Sequence, residues 1–198
     1  MLKLDLSNNQ LQQNFRYLVD GIVNNHRLIS LVMKNNQLNG NEHADGLKQI
    51  IKNHPSLTKI DFSNSEMNVN KNKLKNIGVE AIIEGILETE NQSIISDINL
   101  SYNFLSQECL PFFAKLSNPE FVQIQSLNLS YNDLGQDCIK TLTPILPSIM
   151  ELSLANTRLT NQSMYDLAHL FTLEEMSLRH LDIHNNLITS EGFYTLMF

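Results

Sequence analysis

The chain has 198 residues, 42% hydrophobic and 18% charged, with a formal charge of −7 and a pI near 5.3. That composition builds an ordinary buried core, and its acidity excludes a nucleic-acid-binding surface, which needs clustered Lys and Arg. No stretch reaches the ~20 apolar residues of a membrane helix, and the first residues have no apolar signal-peptide core.

Taken in order, the chain repeats itself. Leu4, Leu6 and Leu11 frame Asn9; Leu28, Leu31, Met33 and Leu38 frame Asn36; Leu57, Ile60, Phe62 and Met67 frame Ser65. The fourth and fifth units are nearly identical: Ile98-Asn-Leu-Ser-Tyr-Asn103-Phe-Leu105 and Leu127-Asn-Leu-Ser-Tyr-Asn132-Asp-Leu134. Ile149, Leu152, Leu154 and Leu159 frame Thr157, and Leu178, Leu181, Ile183 and Ile188 frame Asn186. Within each unit the apolar pair two residues apart predicts a strand with one buried face. The residues that follow change period. Gly46-x-x-x-Ile50, Gly78-x-x-x-Ile82-x-x-x-Ile86, Cys138-x-x-x-Leu142-x-x-x-Leu146 and Gly192-x-x-x-Leu196 each place one apolar stripe on a helix.

The recurring L-x-x-L-x-L-x-x-N-x-L pattern resembles the leucine-rich-repeat family in its longer, ribonuclease-inhibitor-like variant. The resemblance implies a single α/β domain over residues 1–198. It would be a horseshoe-shaped solenoid of about seven repeats, with a parallel sheet on the concave side and helices on the convex side. A buried Asn at the strand exit can both accept from and donate to the turning backbone, so stacked repeats should form an asparagine ladder. Ser65 and Thr157 offer only a hydroxyl and should be its weaker rungs. The long third interval is read as about seven extra residues after Met67, an ascending loop carrying Lys71, Lys73 and Lys75. Both ends lack the polar caps that solenoids usually carry, which suits a segment of a longer protein.

Cys109 and Cys138 share the small-residue slot that opens the helical stripe, with Ser163 and Gly192 in the same place. Adjacent helices lie too far apart for a disulfide between them, so both should be buried free thiols. Extracellular members of the family carry disulfide-bonded caps. Their absence points to the cytoplasm, or to a host cytosol for a secreted bacterial effector.

No nucleophile–base set, phosphate loop or metal-ligand cluster is legible, so neither an enzyme nor a cofactor is expected. The resemblance instead implies protein recognition on the concave face and ascending loops, by an effector or enzyme inhibitor. The other reading is a regulatory or sensing segment of a larger chain. On the outward strand positions Asp61, Asp97, Asn99, Asn128, Glu151, His180, Asp182 and His184 form a polar, acidic stripe that calls for a partner with a basic patch. Beyond the strands, Tyr102, Phe104, Tyr131, Asp133 and Arg158 project from the turns. Aromatics and Arg are the side chains that most often anchor interfaces, and the two tyrosines should form one ledge.

Overall fold

The computed structural model describes residues 2–64, 72–89, 94–118, 123–172 and 176–197. Seven three-residue strands form one parallel sheet in sequence order: β1 (Lys3–Asp5), β2 (Ser30–Val32), β3 (Lys59–Asp61), β4 (Asp97–Asn99), β5 (Ser126–Asn128), β6 (Glu151–Ser153) and β7 (His180–Asp182). The register is constant: Leu4, Leu31, Ile60, Ile98, Leu127, Leu152 and Leu181 sit side by side. From β2 to β6 these central residues are buried, while those on either side, Val32 excepted, keep some exposure, as the two-residue period requires.

Each strand is followed by a helix that returns the chain. These are α1 (Phe15–Val23), α2 (Gly40–Asn53), α3 (Lys75–Leu87), α4 (Leu110–Ala114), α5 (Cys138–Leu142), α6 (Asn161–Phe171) and α7 (Ser190–Met197). Consecutive helices pack on one another and close the core against the central strand residues. The slot residues Gly78, Cys109, Cys138, Ser163 and Gly192 are all buried, and both cysteines are free. Burial pushes the Cys109 thiol up to about 12, and Cys138 higher still. The stripe expected to run unbroken from Cys138 to Leu146 ends at Leu142. Pro144 offers no amide to continue it, and a 3₁₀ turn takes over at Leu146–Ser148.

The asparagine ladder is present, with one correction. Asn132 Oδ1 accepts the amides of Asn103 (2.9 Å) and Leu105 (3.0 Å), while its Nδ2 donates to the carbonyls of Leu129 (2.9 Å) and Leu100 (3.1 Å). Asn186 does the same for Thr157 and Leu159. The third rung is Asn72, whose Oδ1 accepts from Asn36 (2.9 Å) and Leu38 (3.0 Å) and whose Nδ2 reaches Met33 and Phe62 carbonyls. Ser65 and Met67 lie outside the described residues. With Asn72 as rung, Leu74 becomes the framing leucine, and it stands four residues before Gly78 just as Leu105 stands before Cys109. The extra residues therefore enter before the rung. Lys73 pairs with Asn39 in a parallel bridge and Lys75 opens α3, so neither belongs to the inserted loop expected after Met67; Lys71 lies outside the described residues.

Candidate functional site

The turn after each strand is built from two devices. The first is an Asx turn: Asp5, Asp61, Asn99, Asn128 and Asp182 each accept, on Oδ1, the amide two residues on, at 3.0–3.2 Å. Four of the residues read from sequence as contact candidates, Asp61, Asn99, Asn128 and Asp182, thus hold their own strand exits. The second is a left-handed residue immediately before the rung. Asn8, Asn35, Asn156 and Asn185 fill that position in four units, with φ of 51–60°. Asparagine tolerates this region because its short polar side chain bonds locally.

Two units break that rule. Tyr102 and Tyr131 occupy the same position with φ of 58° and 59°, and just beyond the rung Phe104 and Arg158 are left-handed at 59° and 67°. Bulky residues there carry backbone strain of about 1–2 kcal/mol each relative to their favoured conformation. The strain places their side chains together. The tyrosine rings stack face to face, centroids 4.1 Å apart and 9° from parallel. Tyr131 Oη then meets His184 Nε2 at 3.2 Å, and His184 Nδ1 donates to Asp182 Oδ1 at 2.6 Å. Burial pushes the Asp182 carboxyl up, but the two hydrogen bonds from His184, with the nearby histidines, outweigh it and hold the group below the usual range. Tyr131 reaches past Ala155, which stands at the register of His184 and ends at Cβ.

Arg158 Nη1 straddles both carboxylate oxygens of Asp133, at 3.0 and 3.2 Å. With the tyrosines and the 58% exposed Phe104 they wall a cleft of about 610 Å³, completed by Leu105, Ser106, Asn132 and Asn156. Five predicted contact residues, Tyr102, Phe104, Tyr131, Asp133 and Arg158, are therefore one site, extended by His184 and Asp182 through Tyr131. Neither protein-family models nor curated proteins give a match to this chain.

Asp61, Asp97, Asn99, Asn128, Glu151 and His180 are spread over the outer face of the sheet. That face is less acidic than its composition suggests. Lys34 pairs with Asp61 at 3.0 Å and Lys59 with Asp97 at 2.8 Å, and Asp182 is engaged by His184. Lys34 lies two residues beyond β2, so its reach to β3 is set by strand pairing and not by sequence neighbourhood. Among the described residues, Glu151 is the strand carboxylate in the stripe whose hydrogen bond goes to a hydroxyl, Ser126 Oγ at 3.3 Å, and not to a cationic side chain.

Sequence reasoning missed Asn64. Its Oδ1 accepts the Asn72 amide at 2.6 Å, and its Nδ2 donates to the carbonyls of Asn72 and Tyr102. Asn64 therefore clamps the base of the long third interval and steadies the backbone of the first ledge tyrosine. Its place after β3, equivalent to Asn8 and Asn35, was the available signal. No helix among the described residues is long and apolar enough to cross a membrane.

Proposed function

We propose that the chain is a leucine-rich-repeat module, its sheet lining the concave side of a horseshoe, that binds a protein partner through the Tyr102–Tyr131 ledge and the adjoining cleft, without catalysing a reaction. The observation that carries this reading is the replacement of asparagine by tyrosine at two consecutive left-handed positions. The fold does not ask for tyrosine there: four other units turn with asparagine at no such strain. Strain kept against an available relief marks a position retained for what its side chain does. The rigid stacked rings also cost little entropy to immobilise on a partner.

Area supports the same location. Seven three-residue strands about 4.8 Å apart project on the order of 300 Å², against ~800 Å² per partner in a standard interface. The sheet floor alone is too small, and the turns of units four to six must join it. The module acts in the cytoplasm, a setting that suits two unpaired, buried thiols. Its internally paired carboxylates make aromatic contact, and not a basic patch on the partner, the source of affinity.

The test exchanges Tyr102 and Tyr131 together for Asn, the residue that other units use. Partners captured from a lysate by the parent chain should be lost by the double variant, while its unfolding free energy from urea melts falls by no more than about 1 kcal/mol, since the exchanges also relieve backbone strain. Retention of the partner by a folded double variant would place the binding surface elsewhere.

A further inference from the structure

We infer that copies of this chain assemble head to tail, the first unit of one copy docking on the last unit of another. The join carries the parallel sheet and the asparagine ladder from copy to copy, independently of the tyrosine ledge. Leu31, Met33 and Leu38 fill the apolar slots of the second unit at 0% exposure. Leu4, Leu6 and Leu11 fill the same slots in the first unit, and Leu181, Ile183 and Ile188 in the last, and all six keep some exposure. Hydrogen bonds are open at the same two faces. Leu154 N donates to Asp182 O at 2.7 Å and Asn156 N to His184 O at 2.9 Å, while Asn186 Oδ1 accepts the Thr157 and Leu159 amides. One unit further on, the matching amides are those of Ile183, Asn185, Asn186 and Ile188, and none meets an acceptor among the described residues. The first unit holds the matching acceptors: the carbonyls of Asp5 and Ser7, and Asn9 Oδ1. Among the described residues no donor reaches that oxygen, although Asn9 Nδ2 donates to the Leu6 carbonyl at 2.8 Å and the Ser7 carbonyl at 3.3 Å.

The polarity of these groups selects a second copy, and in one orientation. Two last-unit faces set together would oppose amides to amides, and two first-unit faces would oppose oxygens to oxygens. Amides left unmet in a dry join are costly. First against last gives each of the four amides its acceptor, with Asn9 Oδ1 taking two, as Asn186 Oδ1 does. The register that holds across all seven strands then sets Lys3 beside His180, Leu4 beside Leu181 and Asp5 beside Asp182. The two carboxylates arrive already engaged, Asp5 by the Ser7 hydroxyl and Asp182 by His184. Both strand edges, templates for pairing with another chain, are covered at once. The join uses a different face on each copy, so it repeats, and it builds a ring or a filament and not a two-fold dimer.

Sedimentation equilibrium of the 198-residue chain over a wide concentration range should give a mass that rises past that of a dimer. Asn9→Leu removes the acceptor and should weaken association at least about tenfold. Asn9→Asp keeps an accepting oxygen while losing the Nδ2 bonds, and should weaken it far less; urea melts check that both variants fold. Orientation is read by mixing Lys3→Cys with His180→Cys chains under oxidation, since neighbouring strands lie within disulfide reach and the native thiols are buried. The mixed disulfide should dominate. The inference is overturned by a mass that stays monomeric or stops at a dimer, or by association that Asn9→Leu leaves unchanged. Equal weakening by Asn9→Leu and Asn9→Asp overturns it too, as does a preference for disulfides between two His180→Cys chains.

Discussion

At the scale of single residues the strand exit is a hydrogen-bond accounting problem. The chain turns into the interior and its amides and carbonyls must be met there, since an unpaired buried polar group costs ~1–3 kcal/mol. A ladder asparagine meets several at once, because its amide both accepts and donates. Asn72→Leu and Asn132→Leu should therefore each lower stability by about 1–3 kcal/mol in urea melts. A neutral Asn72→Leu would return the third rung to another residue. Thr157 shows what a hydroxyl can do instead: it donates to the Leu154 carbonyl at 2.7 Å and has no second donor to give. Where the third interval is concerned, the sequence offered Asn64, Ser65, Asn68, Asn70 and Asn72 within a short span, and only hydrogen-bond geometry chose Asn72.

Between elements, α2 and α3 share the most extensive contact, and glycines let their backbones meet there. A Cβ on Gly40 would stand 1.9 Å from the Leu74 carbonyl oxygen and 2.8 Å from the Gly78 nitrogen, both of them backbone atoms that cannot swing aside. Gly21, inside α1, has nothing within 4 Å of the same construction. Alanine gains about 1 kcal/mol over glycine in a helix, so Gly21→Ala should raise the thermal midpoint. At Gly40 overlap exceeds that gain, and Gly40→Ala should lower stability by ~1–3 kcal/mol. Equal effects from the two would show that the helices do not pack so closely. Buried histidines also join neighbouring units. His54 Nε2 donates to the Asn25 carbonyl at 3.1 Å while its Nδ1 accepts the Ser56 amide at 3.2 Å, which is the neutral tautomer. Desolvation holds its pKa below the ordinary 6.5. The unfolded chain binds that proton first, so stability is full above about 6.5 and falls as pH drops from there toward the folded value. Urea melts between about pH 7.5 and pH 5 should show this loss, and His54→Gln should reduce it. An unchanged slope would remove His54 from the account.

For the whole molecule, the net charge of −7 already counts every lysine and arginine, and what side-chain pairing changes is how much of it stands unpaired on the sheet. Lys3, Lys34, Lys59 and His184 lie against four of the five carboxylates on the outer strand positions, Asp5, Asp61, Asp97 and Asp182. Steered association depends on unpaired charge and falls steeply with ionic strength. We therefore expect the association rate of a captured partner to change less than about threefold between low and physiological salt in surface plasmon resonance. A steep salt dependence would restore the acidic stripe as the recognition element.

The strand positions, the buried thiols, the rungs other than the third and the membership of the tyrosine ledge were all legible in the residues. Each follows from a period, and a period of two or of one repeat survives without coordinates: Tyr102 and Tyr131 had to be neighbours because Ile98 and Leu127 are. Tertiary structure alone decided what periodicity cannot carry. Only there does Asn72 take the third rung across an irregular interval, and Lys34 reach Asp61 on the next strand. The same is true of Tyr131, which passes the short Ala155 to meet His184 two strands away. The physical reason is one of distance. A repeat dictates which backbone lies beside which, whereas the ends of long side chains settle their partners by geometry over several ångströms, beyond what spacing along the chain records.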